Sequence, residues 1–200
     1  GYQLIDRASS VIVNAREVDM PVADRNKILA EAKTIRALAY LRLVTIYDNI
    51  LLDTTPTTPE SSVGPVEYKP ATKEQIHNLI AADLDFAIAH LDYIVPDELI
   101  GKGFARHLRA ESAMWMEDYA TAAEHYDSII TSGIYKLMPI DQVFGNMPNY
   151  PERNHDETLF AWQFDELLGH PYYDELPGGS GSPLGSAFQS RFYEIVLPDG

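Results

Sequence analysis

The sequence predicts a mostly α-helical domain in which helices stack in antiparallel pairs, with irregular loops and a short β segment. Three observations predict this class. Apolar residues recur at steps of three or four in several stretches, which is the period of a helix with a buried face. Proline and glycine separate those stretches and so limit each helix. From Tyr135 onward the chain is instead rich in glycine, proline and aromatic residues.

Composition fits a globular chain and excludes several function classes. The 200 residues are 46% apolar, which is enough to bury a core. The formal net charge is -15, yet residues 1–47 hold 7 basic and 5 acidic side chains, so the acidity belongs to the rest of the chain. Because this charge repels polyanions, we expect no nucleic-acid partner and no direct binding to an anionic membrane. A neutral or cationic ligand suits it better.

The first two predicted helices form an antiparallel pair. Tyr2 to Arg16 is the first, and the long stretch from Ile28 to Asn49, starting at Pro21 or Asp24, is the second. The second helix has an apolar stripe, and a further set of apolar residues widens it, so we expect this helix to be buried on more than one side. Because few of its positions then face solvent, we expect Glu31 or Arg36 to form a hydrogen bond or an ion pair. The predicted stripe consists of Ile28, Ala32, Ile35, Ala39, Leu43 and Ile46.

A loop separates this pair from the third helix. Leu51 to Pro70 is rich in proline and threonine, and is predicted to be an extended surface crossing, either a binding segment or a spacer. Thr72 and Gln75 form a capping box that starts a helix reaching about His90. Asp83 and Asp85 on that helix point to different faces and are interpreted as solvated charges.

Two shorter helices follow, one over Leu108 to Met116 and one from Tyr119 to Ile130, which ends at Ser132-Gly133. The turn between them resembles that of a tetratricopeptide repeat, in the pattern Asp118-Tyr119-x-x-Ala122-x-x-x-Tyr126. The second and third helices of the chain would then form the preceding pair across the long loop.

The remaining predictions concern the loop-rich end. Thr158 to Phe164 is the best strand candidate, and the aromatic pair Trp162 and Phe188 is interpreted as core. Other segments are predicted as a brief extended piece (Tyr135 to Leu137), a single turn (Asp141 to Phe144), a loop (Asn146 to Asp156), irregular structure (Gly169 to Gly185) and a short helix (Ser186 to Ile195).

No motif for catalysis, metal binding or cofactor binding is found. Cysteine is absent, the six histidines show no helical metal-site spacing, and no nucleophile or phosphate motif occurs. His155-Asp156-Glu157 offers adjacent ligands, but consecutive side chains diverge in an extended chain. A glycosidase needs only two carboxylates, yet no carboxylate here lies in a context that would raise its pKa. We therefore expect no catalytic residue, no metal and no cofactor.

Aromatic side chains in the loops after residue 145 are the candidates for ligand binding. Flat aromatic faces stack on the C–H faces of sugar rings, while neighbouring polar groups bond the hydroxyls. On this physical argument the candidate ligand-binding residues are Tyr150, His170, Tyr172, Tyr173 and Asp174.

Several motifs follow one another in a fixed order along the chain. They are Glu31-Ala32-Lys33-x-x-Arg36-Ala37-x-Ala39-Tyr40-x-x-Leu43-x-x-x-Tyr47, Asp83-Leu84-x-x-Ala87, Met116-Glu117-Asp118-Tyr119, Ser132-Gly133-x-Tyr135, Asn154-x-x-Glu157-x-x-Phe160 and Phe192-Tyr193-Glu194. This ordered series resembles the SusD/RagB family of outer-membrane nutrient-binding lipoproteins. Asp48-Asn49 departs from the family pattern, which has glycine after the tyrosine, and so does Pro70 before Ala71-Thr72.

The resemblance implies a cell-surface, lipid-anchored protein that is not an enzyme. Such a protein captures oligosaccharide, or peptide in some members, for import through a SusC-like TonB-dependent transporter, and would meet the membrane only through a lipid anchor outside this chain. Residues 1–137 would be a helical platform, with 138–200 packed on it in the same domain, and the chain would be incomplete at both ends. A tetratricopeptide-type scaffold that binds protein partners is the alternative from another class.

Overall fold

Five helices and one pair of very short strands make up the described part of the chain, which is residues 1–59, 69–96, 99–139 and 156–160 of a computed structural model. All of them belong to the compact unit Gly1–Ala161, whereas a second unit, Trp162–Gly200, lies outside the described residues. The elements are α1 (Tyr2–Asn14), α2 (Val22–Ile46), β1 (Ile50–Leu51), β2 (Pro70–Ala71), α3 (Lys73–His90), α4 (Lys102–Trp115) and α5 (Tyr119–Thr131). This confirms the mostly helical class.

Helices α1 and α2 pack antiparallel, as predicted. The start of α1 meets the end of α2, because a side chain at Gly1 would contact Leu43. The end of α1 meets the start of α2 through a small cluster that includes Ile12 and Leu29. A short connection between two helices favours this arrangement.

Helix α2 is covered on several sides, as predicted. Leu29 and Leu41 of the wider apolar set are buried, and so are Ala32 and Ala39 in the middle of the stripe. The predicted stripe is wrong only at its two ends, where Ile28 is 39% exposed and Ile46 is 69% exposed. The reason is length: α2 has 25 residues and α1 has 13, so α1 cannot cover all of α2.

The main core lies between α2 and α3 and extends to α4. It centres on fully buried Tyr40 and Leu41 from α2 and on three apolar side chains of α3, Ile76, Ile80 and Leu84. The pairing of α2 with α3 across the long loop is therefore confirmed. The predicted capping box is also present, since Thr72 Oγ1 accepts from the Gln75 backbone N–H and the Gln75 side chain accepts from the Thr72 N–H.

Asp83 is a buried anion, and its interpretation as a solvated charge is wrong. Its side chain is 1% exposed and accepts hydrogen bonds from Arg36 Nε at 2.7 Å and Nη2 at 2.9 Å. Lys33 Nζ also bonds Asp83, and Lys33 and Arg36 lie on one face of α2 because they are three residues apart. The predicted partner for Arg36 is thus confirmed. The other aspartate, Asp85, is exposed and bonds Arg109.

The loop after α2 is closed at its base by the two strands. β1 and β2 pair antiparallel, with Ile50 opposite Ala71 and Leu51 opposite Pro70. This pair was not predicted, because two residues are too few to show the alternation of a strand. In the predicted strand Thr158 to Phe164, residues 158–160 form no strand, and residues 161–164 lie outside the described part of the chain.

Helices α4 and α5 form the predicted hairpin. Their contact is made by alanines, Ala110 and Ala113 against Ala122, so the two backbones approach closely. Asp118 caps α5 by accepting from the Thr121 N–H at 3.1 Å. Gly133, with φ +68, ends the helix in the left-handed conformation that favours glycine.

Candidate functional site

A cleft of about 190 Å³ opens where the connection between α3 and α4 meets two later pieces of the chain. We call it the tyrosine cleft. The described residues of its lining are uncharged and mostly apolar, and they include the rings of Tyr93, Tyr135 and Phe160. The described residues that line it are Tyr93, Ile94, Val95, Pro96, Leu99, Gly101, Ile134, Tyr135, Thr158, Leu159 and Phe160.

Gly103 in the first turn of α4 is what lets Tyr135 reach the cleft. A Cβ at Gly103 would lie 2.3 Å from the Tyr135 hydroxyl oxygen, closer than any side chain can approach. The absence of a side chain at Gly103 therefore seats the Tyr135 ring against the helix. Burial raises the pKa of Tyr135, followed by the charge of Tyr93, while a hydrogen bond from the Gly103 backbone opposes the shift.

The two later pieces of chain are joined to each other and to α4. The Lys136 N–H donates to the Asp156 carbonyl at 2.9 Å, and the Met138 N–H donates to Glu157 Oε2 at 3.0 Å. Phe160 stacks on Phe104 of α4, with ring centroids 4.6 Å apart. These contacts hold one wall of the cleft on the helical platform.

Tyr93 forms part of the opposite wall, and its position is fixed from two sides. Its hydroxyl donates to the Ser128 carbonyl of α5 at 3.2 Å. Lys102 Nζ lies 5.6 Å from the centre of its ring, within the range of a cation–π contact. The ring is half-buried, so one part of it still faces the cleft.

The arrangement suits binding of an uncharged ligand. Aromatic and aliphatic surface can stack on the apolar face of a ring, and the tyrosine hydroxyls can bond to polar groups. None of the described residues that line the cleft is a carboxylate, histidine or lysine.

The candidate ligand-binding residues Tyr150, His170, Tyr172, Tyr173 and Asp174 all lie outside the described residues. Their grouping therefore stays a prediction. Residues 140–155, which include Tyr150, connect the two pieces of chain that line the tyrosine cleft. The core interpretation of Trp162 and Phe188 also falls outside the described part.

Sequence reasoning missed the cleft itself. Tyr135 was predicted only as part of a brief extended piece, and Tyr93 was not singled out. A signal did exist, since Tyr135 and Phe160 both belong to motifs of the family resemblance. Nothing in the sequence placed Tyr93 beside them, because Tyr93 and Tyr135 come together only when α4 and α5 fold back between them.

Histidines in the described residues serve packing. His77 Nδ1 lies 2.7 Å from Ser112 Oγ between α3 and α4, and His125 Nδ1 lies 3.3 Å from Arg106 Nη1. Burial lowers the pKa of His77, with the positive charge of Lys73 adding to it. Within the same residues, no group of three potential ligands could hold a metal ion. His155 lies outside them.

No helix among the described residues is long and apolar enough to cross a membrane. The exposed apolar residues include a group at the turn between α4 and α5. Its members Met114, Trp115, Met116 and Tyr119 are between 42% and 64% exposed.

Comparison with solved structures identifies one fold repeatedly. A laminarin-binding SusD-like protein matches with a TM-score of 0.63 and 26% identity, over 68% of this chain and 31% of that chain. A structure determined with a xylogluco-oligosaccharide matches with a TM-score of 0.73 and 22% identity, over 86% of this chain and 35% of that one. A SusD-like protein from Bacteroides fragilis gives a TM-score of 0.70 at 16% identity, over 80% and 32%.

The chain therefore spans about a third of the length of these solved structures. No protein-family model matches the sequence. No curated protein matches it either. The SusD-like resemblance seen in the sequence motifs is confirmed by the structural matches.

Proposed function

We propose that this chain, which has the fold of the SusD-like carbohydrate-binding proteins, binds an oligosaccharide and belongs to a nutrient-capture protein. The observation that carries the proposal is the match to a laminarin-binding SusD-like protein, at 26% identity over 68% of this chain. The xylogluco-oligosaccharide of a second matching structure supports the same ligand class. Laminarin and the xylogluco-oligosaccharide are ligands of those two proteins, and we propose only the ligand class, oligosaccharide, for this chain.

The tyrosine cleft supports a neutral sugar as the ligand. Its described lining residues are uncharged and present the rings of Tyr93 and Tyr135. We propose that the aromatic and acidic residues predicted from the sequence complete the binding surface. These are Tyr150, His170, Tyr172, Tyr173 and Asp174.

We further propose that the protein is held at the outer face of the outer membrane by a lipid anchor outside this chain, and hands its ligand to a SusC-like TonB-dependent transporter. Support for a protein partner comes from the exposed apolar turn between α4 and α5, where Trp115 is 58% and Tyr119 64% exposed. Large exposed aromatic residues are enriched in protein interfaces. The protein is proposed to bind and release its ligand unchanged, and not to act as an enzyme.

Calorimetry against neutral oligosaccharides and peptides tests the ligand class. We expect binding to laminarin-derived or xyloglucan-derived oligosaccharides, with a roughly tenfold loss of affinity in Tyr135→Ala, since a sugar–aromatic contact is removed. Tyr119→Ala, an exposed tyrosine away from the cleft, is the matched control and should bind normally. If no oligosaccharide binds but a peptide does, the proposed ligand class would change from oligosaccharide to peptide.

A protein-binding scaffold is the second candidate, and the same apolar turn favours it. Calorimetry combined with an affinity pull-down distinguishes a scaffold from an oligosaccharide-binding protein. A scaffold would bind no small ligand in calorimetry, and would retain protein partners other than a transporter barrel in an affinity pull-down. Recovery of a TonB-dependent barrel, lost on Trp115→Ala, would support the transporter proposal.

A further inference from the structure

We propose that a second groove, between α1 and the loop that follows β1, is a separate subsite for one neutral sugar unit. The inference rests on the proposed oligosaccharide-binding function and adds a location to it. The groove has a volume of about 480 Å³. We call it the threonine groove, and the described residues that line it are Ser10, Val13, Asn14, Thr54, Thr55, Pro56, Thr57 and Thr58.

The chemistry of the lining matches a polyhydroxylated, uncharged ligand. Six of its eight described residues carry a hydroxyl or an amide, and none of the eight carries a charge. Hydroxyl and amide groups both donate and accept hydrogen bonds, as sugar hydroxyls do. The other two, Val13 and Pro56, provide apolar surface for the C–H face of a sugar ring. Val13 is 45% exposed, although it lies on a helix that packs in the core.

The wall formed by the loop is held rigidly from the core. Tyr40, fully buried in α2, bonds through its hydroxyl to both backbone groups of Asp53, donating to the carbonyl at 2.7 Å and accepting from the N–H at 2.9 Å. The Asp53 carboxylate in turn accepts from the Thr55 N–H at 2.8 Å. A loop that is ordered before binding loses less entropy when the ligand arrives.

A further bond ties the same loop to α1, the opposite wall. Asp6 Oδ1 accepts from the Thr57 N–H at 2.6 Å. That bond, with the Thr57 hydroxyl as the second cause, lowers the pKa of the Asp6 carboxyl. These anchors use the backbone groups of Asp53, Thr55 and Thr57, the Asp53 carboxylate and the Thr57 hydroxyl, so the hydroxyls of Thr54 and Thr55 are not consumed by them.

The α1 wall presents polar groups in a fixed arrangement. Asn14 Nδ2 donates to the Ser10 carbonyl at 2.8 Å, which holds the amide against the helix and leaves its oxygen as an acceptor. Ser10 Oγ donates to the Asp6 carbonyl at 3.0 Å and can still accept. Acceptors on one wall and threonine hydroxyls on the other give a sugar unit bonds on both sides.

The volume and the electrostatics select the ligand further. A space of about 480 Å³ falls within the ~300–1,000 Å³ that small-molecule sites occupy. An anionic sugar is disfavoured, because the carboxylate of Asp6 lies beside the loop and the chain as a whole carries a charge of -15.

The inference is tested by NMR titration of the ¹⁵N-labelled chain with laminarin-derived and xyloglucan-derived oligosaccharides, together with calorimetry of variants. In the unmodified chain we expect ligand-dependent shifts of the amide signals of Thr54, Thr55, Thr57 and Thr58. Thr55→Val removes a hydroxyl at nearly constant shape, and Asn14→Ala removes the amide. Each should weaken binding by about 2- to 10-fold, the loss of one hydrogen bond. Thr131→Val, an exposed threonine on α5, is the matched control.

The outcomes separate this inference from the proposed function. An oligosaccharide could shift only the amide signals of the tyrosine cleft and bind both groove variants with unchanged affinity. That result would overturn the sugar subsite in the threonine groove and leave the proposed function intact. Absence of binding by every oligosaccharide would overturn both. If a peptide but no oligosaccharide shifted the amide signals of the threonine groove, the conclusion that the groove binds a sugar would be overturned. Because the titration uses the unmodified chain, the result does not depend on the variants folding.

Discussion

Among single residues, Asp83 has the most exacting surroundings in the described structure. It is a buried anion that faces two cations of α2, Lys33 and Arg36. Lys33 also lies over the Phe86 ring at 5.3 Å, and Arg36 Nη1 reaches Ser9 of α1 at 3.4 Å. One carboxylate thus joins three helices, α1, α2 and α3.

Replacing Asp83 by asparagine should destabilise the fold strongly. The substitution leaves the Arg36 guanidinium, whose side chain is 6% exposed, without its counter-charge. Breaking a buried pair in this way costs about 3–5 kcal/mol. Urea unfolding followed by circular dichroism measures the change.

Asp85→Asn is the matched control, two residues away on the same helix. Its carboxylate is 58% exposed and pairs with Arg109, so we expect a loss of about 0–1 kcal/mol. If the two variants lost the same free energy of unfolding, the buried ion pairs of Asp83 would stabilise the fold no more than the exposed ion pair of Asp85.

Two buried histidines and one half-buried histidine predict a dependence of stability on pH. Burial lowers the pKa values of His77, His107 and His125 in the folded chain, and for His125 the charges of Arg109 and Arg106 add to the shift. The unfolded chain then binds more protons, so these groups should favour folding fully above the ordinary histidine pKa of about 6.5. This contribution is lost as the pH falls from about 6.5 through the lowered pKa values.

The measurement is the free energy of unfolding at pH 7.5 and at pH 5.5. We expect a lower value at pH 5.5 and a smaller difference in His77→Gln. An NMR titration of the His77 ring gives an independent reading, and a midpoint above 6.5 would contradict the argument.

At the scale of elements, helix starts and helix contacts depend on few residues. The Thr72 capping box bonds two backbone groups at the start of α3 that would otherwise lack partners within the helix. Thr72→Ala should cost about 0.5–2 kcal/mol of stability in thermal or urea unfolding. Thr131→Ala, on an exposed position at the end of α5, should cost less, and the reverse order would contradict the role of the cap.

Gly103→Ala should loosen the tyrosine cleft. An added methyl group would meet the Tyr135 ring, so the ring has to leave its place against α4. We expect the Tyr135 ring to become more exposed, which fluorescence quenching measures in a variant background where the Tyr135 signal is resolved. We also expect weaker oligosaccharide binding.

Gly133→Ala is the control for that substitution. Gly133 has φ +68 but nothing within 4 Å of an added Cβ, so the cost is conformational only and about 1 kcal/mol. Binding should be unchanged in this variant. A parallel loss of binding in both variants would show that Gly103 acts through general stability.

On the scale of the whole molecule, the charge of -15 should select among ligands. Neutral oligosaccharides are expected to bind with an affinity that hardly changes with salt. Anionic oligosaccharides of similar length should bind more weakly at low ionic strength and recover in part at 0.5 M salt, because screening shortens the reach of the repulsion. Calorimetry at two salt concentrations checks this, and stronger binding of the anionic ligand would contradict it.

Local patterns were sufficient to predict much of the helical platform. Periodicity gives the helices, Thr72 and Gln75 give the start of α3, and Gly133 gives the end of α5. All of these depend on interactions between residues within about four positions of each other, which a sequence displays directly. The order of motifs also indicated the SusD-like fold, because it reflects several elements together.

Tertiary structure decided what depends on distant residues. The partner of Asp83 is Arg36, 47 positions away, and no local pattern distinguishes that buried aspartate from exposed Asp85. The two-residue strands pair only because the loop closes on itself. The tyrosine cleft and the threonine groove likewise combine side chains from separate segments. The sequence alone therefore determined which segments are helical, while packing over long separations decided which charges are buried and where the two clefts form.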